Sequence, residues 1–142
     1  MFELNVNEDV LGDLIYEGEG SITGSRVLDG GENLIEYYLI ENGEFRKTKV
    51  IITSTFWTVS SGRDTVYGEA QAIITDKDSR EMVTYRGYGV GHLIETGKTI
   101  FRGTNFYKTS SNGKLSFLNN IVGAFEAEAH ENHHSGRAWE WK

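Results

Sequence analysis

Residues 85–93 read YRGYGVGHL, with glycine at every second position: Gly87, Gly89 and Gly91. The stretch can be read as a phosphate-binding loop, a linker, or a strand with the side chains removed from one face. A dinucleotide fingerprint places GxGxxG between a strand and a helix. Here His92 stands where the third glycine belongs, and HLIETGKTIFRG, which follows, reads as strand and turn. Gly97-Lys98-Thr99 has the tail of a Walker loop, but the position five before Gly97 is again His92 rather than glycine. Period two is the period of a strand face. Gly87, Gly89 and Gly91 then share a face with Tyr85 and Leu93, while Arg86, Tyr88, Val90, His92 and Ile94 share the other.

The same division recurs along the chain. Gly18, Gly20, Ile22 and Gly24 alternate with Glu17, Glu19, Ser21, Thr23 and Ser25; Gly68, Ala70, Ala72 and Ile74 alternate with Tyr67, Glu69, Gln71 and Ile73. Ions favour water, so the small, uncharged face is expected to point inward. Tyr16-Glu17-Gly18-Glu19-Gly20 also echoes Tyr85-Arg86-Gly87-Tyr88-Gly89 half a chain away, as if two strands had similar roles.

Turn signals separate these runs: DGGEN (29–33), ENGE (41–44), SSGRD (60–64), TDKDS (75–79), ETGK (95–98), SSNG (110–113) and ENHHSG (131–136). Asn42-Gly43 is the strongest of them, because a type I′ hairpin turn needs two residues that tolerate positive φ. Eight strand-like runs result, at 14–28, 33–41, 44–59, 65–75, 81–95, 98–109, 121–130 and 136–141. Residues 114–120 are expected to form a single helical turn, and 1–13 a short strand or N-terminal arm. Long strands joined by short turns suit a closed barrel, which leaves no exposed edge. The fold class expected is therefore all-β, an eight-stranded antiparallel up-and-down barrel occupying 1–142 as one domain.

Composition agrees. A chain of 142 residues with 12% aromatics and 17 glycines is a globular, β-leaning domain. Cysteine is absent, which excludes a disulfide scaffold, a thiol nucleophile and a Cys-zinc site. The formal charge of −7 argues against a phosphate-backbone binder, and Arg46, Lys47 and Lys49 are too few to reverse it. No nucleic-acid or membrane partner is expected. Acidic residues stand where a secretory leader needs basic ones, so the expected location is cytoplasmic.

NGKLSFLNNIVGAFEAE (112–128) contains Gly113, Leu115 and Leu118, then Gly123 and Phe125. This stretch resembles a signature of small bacterial barrels of the allene oxide cyclase-like (calycin-type) family, most of them of unassigned function. It departs at Asn119-Asn120, where relatives often carry a glycine. The resemblance covers about the last third of the chain. It implies an eight-stranded antiparallel barrel that assembles as a homo-oligomer, a dimer or a trimer. It implies no activity and carries over no catalytic residue.

Inward glycines leave space that is either packed by large side chains or left as a pocket. Candidates to fill it are Tyr37, Phe56, Trp57, Phe101, Tyr107, Phe125, Trp139 and Trp141. If a pocket exists, the expected lining is Tyr85, Gly87, Gly89, Gly91, Phe101, Tyr107, Phe125 and Trp139. If the faces are reversed, the lumen instead holds a polar cluster of Glu17, Glu69, Arg86, His92 and Arg102; otherwise Glu69, Arg86 and Arg102 are expected to pair across neighbouring strands. His130, Glu131, His133 and His134 have the side chains of a zinc or nickel site, but in a hairpin turn they read as exposed polar residues. No metal or cofactor is expected. Three functions remain open: a binding module for a small apolar or aromatic molecule, a cyclase or isomerase using the same cavity, and a packed barrel with a structural or oligomerisation role.

Overall fold

The computed structural model describes residues 10–142. They form eight strands: β1 (Leu11–Asp29), β2 (Leu34–Phe45), β3 (Thr48–Ser60), β4 (Thr65–Asp76), β5 (Met82–Glu95), β6 (Lys98–Lys108), β7 (Val122–His130) and β8 (His133–Trp141). Each pairs antiparallel with the next, and β8 returns to β1, closing the barrel. The all-β meander expected from the alternating glycines is therefore present. Of the proposed N-terminal arm, residues 1–9 lie outside the described region, and Leu11 already pairs with Trp141.

The inside–outside assignment follows the physics of the glycine face. Gly87 and Gly91 are buried, whereas Arg86, Tyr88, Val90 and His92 are exposed. Leu93, expected inside, is exposed because the strand has reached the barrel rim by that point. Glu17 and Arg102 also lie on the exterior. Glu69 accepts a hydrogen bond from the exposed Tyr67 hydroxyl at 3.3 Å. The reversed-face cluster is thus not in the lumen. The expected pairing of Arg102 with Glu69 and Arg86 is replaced by another: Arg102 and Arg137 both meet Glu126, at 2.9 and 3.0 Å, in one row across β6, β7 and β8.

One end of the barrel is plugged. Ile15, Phe45, Val50, Ile74, Val83, Leu115 and Leu118 are almost fully buried there. Each such side chain contributes roughly 1.5–3 kcal/mol of hydrophobic stabilisation. Leu115 and Leu118 come from the β6–β7 connection, where a single 3-10 turn (Ser116–Leu118) folds under the barrel. The leucines of the resemblance motif are thus a floor.

The hairpin expected at Asn42-Gly43 is displaced by four residues. Both positions lie inside β2, and the turn falls on Arg46 and Lys47, whose φ values are 44° and 72°. Phe45 decides this. It is 1% exposed, with its ring 4.6 Å from that of Tyr16. A turn at Asn42-Gly43 would cut the strand short of it. Burying Phe45 outweighs the ~1–2 kcal/mol for each L-residue placed in the left-handed region. Arg46 is further held by a cation–π contact with Phe117 at 4.4 Å. Among the described residues Lys47 has no such contact, so Lys47→Gly is expected to raise stability by about 1 kcal/mol, read as a higher urea midpoint at unchanged slope.

Candidate functional site

Glycine opens the interior, and aromatic rings lie in the openings. Gly43, Gly18 and Gly136 form one row across β2, β1 and β8. Tyr16 lays its ring over the first two of these: a Cβ on Gly43 would meet Tyr16 Cε1 at 2.5 Å, and one on Gly18 would collide with the Tyr16 hydroxyl. On the other side, Gly68, Gly89 and Gly103 form a second row, continued by Phe125 on β7. A Cβ on Gly89 would stand 3.0 Å from Phe125 Cζ, and one on Gly91 would stand 2.6 Å from Phe101 Cε1. Such ring-over-glycine packing is a recognised way to stabilise glycine in a sheet.

The filling is incomplete. A cavity of about 100 Å³ remains above the plug. Leu39, Ile52, Phe56, Phe101 and Phe125 form its apolar wall, and Tyr16, Glu41, Tyr85, Asn105, Tyr107 and His134 supply polar groups. Phe56 organises the upper wall, with Tyr37 stacked at 4.9 Å, Phe101 edge-on at 6.2 Å and the His134 ring at 6.1 Å.

The polar groups centre on Glu41, which is 4% exposed. Its carboxylate accepts the Tyr16 hydroxyl at 2.7 Å and meets His134 Nδ1 at 2.5 Å. Glycine makes this meeting possible. Gly20 on β1 pairs with Glu41 on one side and His134 on the other, so the two side chains approach over a position with none of its own. A carboxylate only accepts, so Nδ1 carries the shared proton, and in the neutral imidazole Nε2 then keeps its lone pair. Asn105 Nδ2 donates to the Tyr107 hydroxyl at 3.3 Å.

The phenols are held neutral. Burial, and then the nearby Glu41 charge, push Tyr16 and Tyr85 far above the ordinary tyrosine value. Burial pushes Tyr107 up to about 12, against the opposing hydrogen bond from Asn105. The lumen therefore offers hydroxyl donors beside one imidazole–carboxylate pair.

Of the residues expected to line a pocket, Tyr85, Gly87, Gly89, Phe101, Tyr107 and Phe125 do so. Gly91 faces the same way, but Phe101 and Val66 occupy its space. Trp139 does not line the cavity: it sits out of phase with inward Ala138 and carries the exterior guanidinium of Arg137 at 5.3 Å. Trp57 is likewise out of phase with lumenal Phe56, and Trp141 is exposed. The histidine-rich segment divides. His130 is exposed, His133 meets exterior Glu19 at 3.4 Å, and His134 turns inward. Among the described residues no group of three or more His, Asp or Glu could hold a metal.

The pairing of Glu41 with His134 is not legible in the sequence, where Glu41 falls at the junction of the run 33–41 with the ENGE turn and His134 reads as an exposed turn residue. The strands in fact extend further, with β8 beginning at His133. A signal was available: Glu41 is in phase with Leu39 and Phe45, a carboxylate on an apolar face. The Tyr-x-Gly-x-Gly echo was the other. Tyr16 and Tyr85 sit four strands apart in the ring of eight, on opposite walls, and both feel the Glu41 charge.

Fold and site together define a closed eight-stranded barrel with a polar cluster inside an aromatic lumen. Comparison with solved structures finds a β-barrel-like protein from Acinetobacter baumannii AYE, with a TM-score of 0.76 at 14% identity over 93% of this chain and 95% of that one. At that identity the likeness is one of fold. No protein-family model matches the chain, and no curated protein does.

Two outcomes are expected. Gly43→Ala should lower stability by about 1–3 kcal/mol, because the new methyl meets both the Tyr16 ring and the Glu17 carbonyl oxygen. Gly30→Ala, with nothing within 4 Å, should leave stability nearly unchanged in the same denaturant melts. Tyr16, Tyr85 and Tyr107 should resist ionisation until the barrel opens. Their raised values contribute stability that is complete below the ordinary pKa of 10.0 and is lost as pH climbs above it, for Tyr107 through about 12, since the unfolded chain ionises first. Tyrosinate absorbance during an alkaline titration should rise in two stages, the second coinciding with loss of native circular dichroism.

Proposed function

We propose that this is an allene oxide cyclase-like barrel whose lumen binds a small, mostly apolar or aromatic molecule bearing one hydrogen-bonding group. The observation that carries this reading is the cavity, with an apolar wall of Leu39, Ile52, Phe56, Phe101 and Phe125 meeting a polar end at Glu41, Tyr85 and His134. Such a combination of apolar surface and a few convergent polar groups is the usual make-up of a small-molecule site. Size narrows the guest. At about 100 Å³ the space is near the scale of a dry, apolar cavity of ~150 Å³ that admits benzene. A single ring fits that scale, and a fused polycycle does not. The motif of Gly113, Leu115, Leu118, Gly123 and Phe125 supports the family grouping.

Phenol, cyclohexanone and benzene test the reading by calorimetric titration and thermal melting. Phenol and cyclohexanone are expected to bind more tightly than benzene, because they alone can use the polar end. A ligand present at one hundred times its Kd should stabilise the fold by about 2.7 kcal/mol. Phe101→Trp, which fills the cavity, should abolish the effect while the variant still melts cooperatively. Equal stabilisation of the wild type and Phe101→Trp would place binding elsewhere and sink the reading.

A further inference from the structure

The lumen holds more machinery than binding one apolar molecule requires. Burying a carboxylate and an imidazole away from water is costly unless the pair is closely matched. A ligand that needed only a hydrogen bond could be served by Tyr85 or Asn105 alone. Here Glu41 binds His134 Nδ1 at 2.5 Å and is itself held by Tyr16 at 2.7 Å, so the imidazole is fixed in tautomer and direction. Among the described residues no buried side-chain nitrogen or oxygen lacks a partner. His134 Nε2 and the Tyr85 hydroxyl have no hydrogen-bond partner there, so neither atom is fully sealed off, and both residues line the cavity. In its neutral form the imidazole therefore stands with a neutral hydroxyl donor in the lining of one small, mostly apolar volume.

We infer that the lumen is a proton-transfer site, in which His134 is the base for enolisation of a small ketone or aldehyde, Tyr85 holds the carbonyl oxygen, and Glu41 is a positioning residue. This rests on the reading of the lumen as a small-molecule site. The His134 Nε2 lone pair takes a proton from the carbon next to the carbonyl. The electrons of that C–H bond form a carbon–carbon double bond, and the carbonyl π electrons move onto oxygen, where the Tyr85 O–H donates to them. The imidazolium so formed faces the Glu41 carboxylate. It returns the proton to the same carbon, or to the far end of an adjacent double bond, giving exchange in one case and double-bond migration in the other. Electrons and atoms balance without an oxidant or co-reactant. Ser54 also lines the cavity, but no hydrogen bond joins it to His134 among the described residues, which leaves the imidazole as base toward a ligand rather than toward a serine nucleophile. General base catalysis by a positioned imidazole supplies ~10²–10⁴-fold. The apolar wall favours the step further, because a hydroxyl donor aimed at a developing oxyanion acts more strongly away from water.

The probes are cyclohexanone, followed by NMR for deuterium uptake beside the carbonyl in D₂O, and 3-cyclohexenone, followed by ultraviolet absorbance of its conjugated isomer. The full chain is expected to accelerate both at least about 100-fold over free imidazole at equal concentration. His134→Gln should return the rate to that of solution while cyclohexanone still binds. Tyr85→Phe should slow the reaction and also weaken cyclohexanone binding toward that of benzene. Glu41→Gln should lower the rate and displace its pH profile, which a merely structural role would leave in place, and the ¹⁵N shifts of His134 should show the changed Nδ1 contact. The titratable groups facing His134 in that profile are Glu41, Tyr16, Tyr85 and Tyr107, with Glu69, Glu126 and Arg137 at the cavity boundary. Should His134→Gln fail to fold, Phe101→Trp must abolish exchange by exclusion. Binding of cyclohexanone with exchange no faster than free imidazole overturns the inference and leaves the binding reading standing. No binding of any probe overturns both.

Discussion

An eight-stranded barrel cannot hold bulky side chains at every inward position, yet its strands must stay paired and its interior must not be left empty. In this chain the conflict is resolved by laying aromatic rings across rows of glycine. Tyr16 lies over Gly18 and Gly43, Phe125 over Gly89, and Phe101 over Gly91. Each ring takes the volume that the glycine side chains gave up, and each glycine lets a ring lie close to the backbone. Curvature, core packing and cavity all depend on this exchange. A larger residue in the rows would meet the rings and force them or the backbone to shift.

The same rows bring the polar groups together. Glu41 and His134 come from strands on either side of β1 and meet because Gly20 stands between them. Tyr16 reaches the carboxylate because Gly18 and Gly43 let its ring lie flat. A half-satisfied cluster of this kind would be worse than an apolar core, but here the carboxylate is bonded on both oxygens. Among the described residues, His134 Nε2 and the Tyr85 hydroxyl have no hydrogen-bond partner. Dividing the barrel into a sealed floor and a roomier upper lumen follows the gradient of side-chain size, from Leu115, Leu118 and Phe45 at one end to Gly68, Gly89 and Gly91 at the other.

Much of this was legible in the chain. Alternation with glycine identifies strands because period two belongs to no other regular element, and charge on the opposite residues points the small face inward. Six of the eight residues expected to line a pocket do so. The errors share one physical cause. Asn42-Gly43 has the strongest local turn chemistry in the chain, but burial of Phe45 against Tyr16 and Tyr107 carries β2 past it, onto Arg46 and Lys47. Likewise ENHHSG looks like an exposed loop, but β8 starts inside it. In both places nonlocal packing overrode local preference, and each override hid one member of the Glu41–His134 pair. Trp139 failed for a simpler reason, since one step along β8 changes its face.

By itself the sequence determined the all-β class, the number of strands and which face of each glycine-bearing strand turns inward, because these depend on local periodicity and on the preference of charge for water. Only the tertiary structure decided where the hairpins close, which rings fill the glycine rows, and that a glutamate and a histidine 93 residues apart share a proton. Those outcomes rest on strand register around a closed ring. Register is fixed by the sum of all the pairings together, and no single segment carries it.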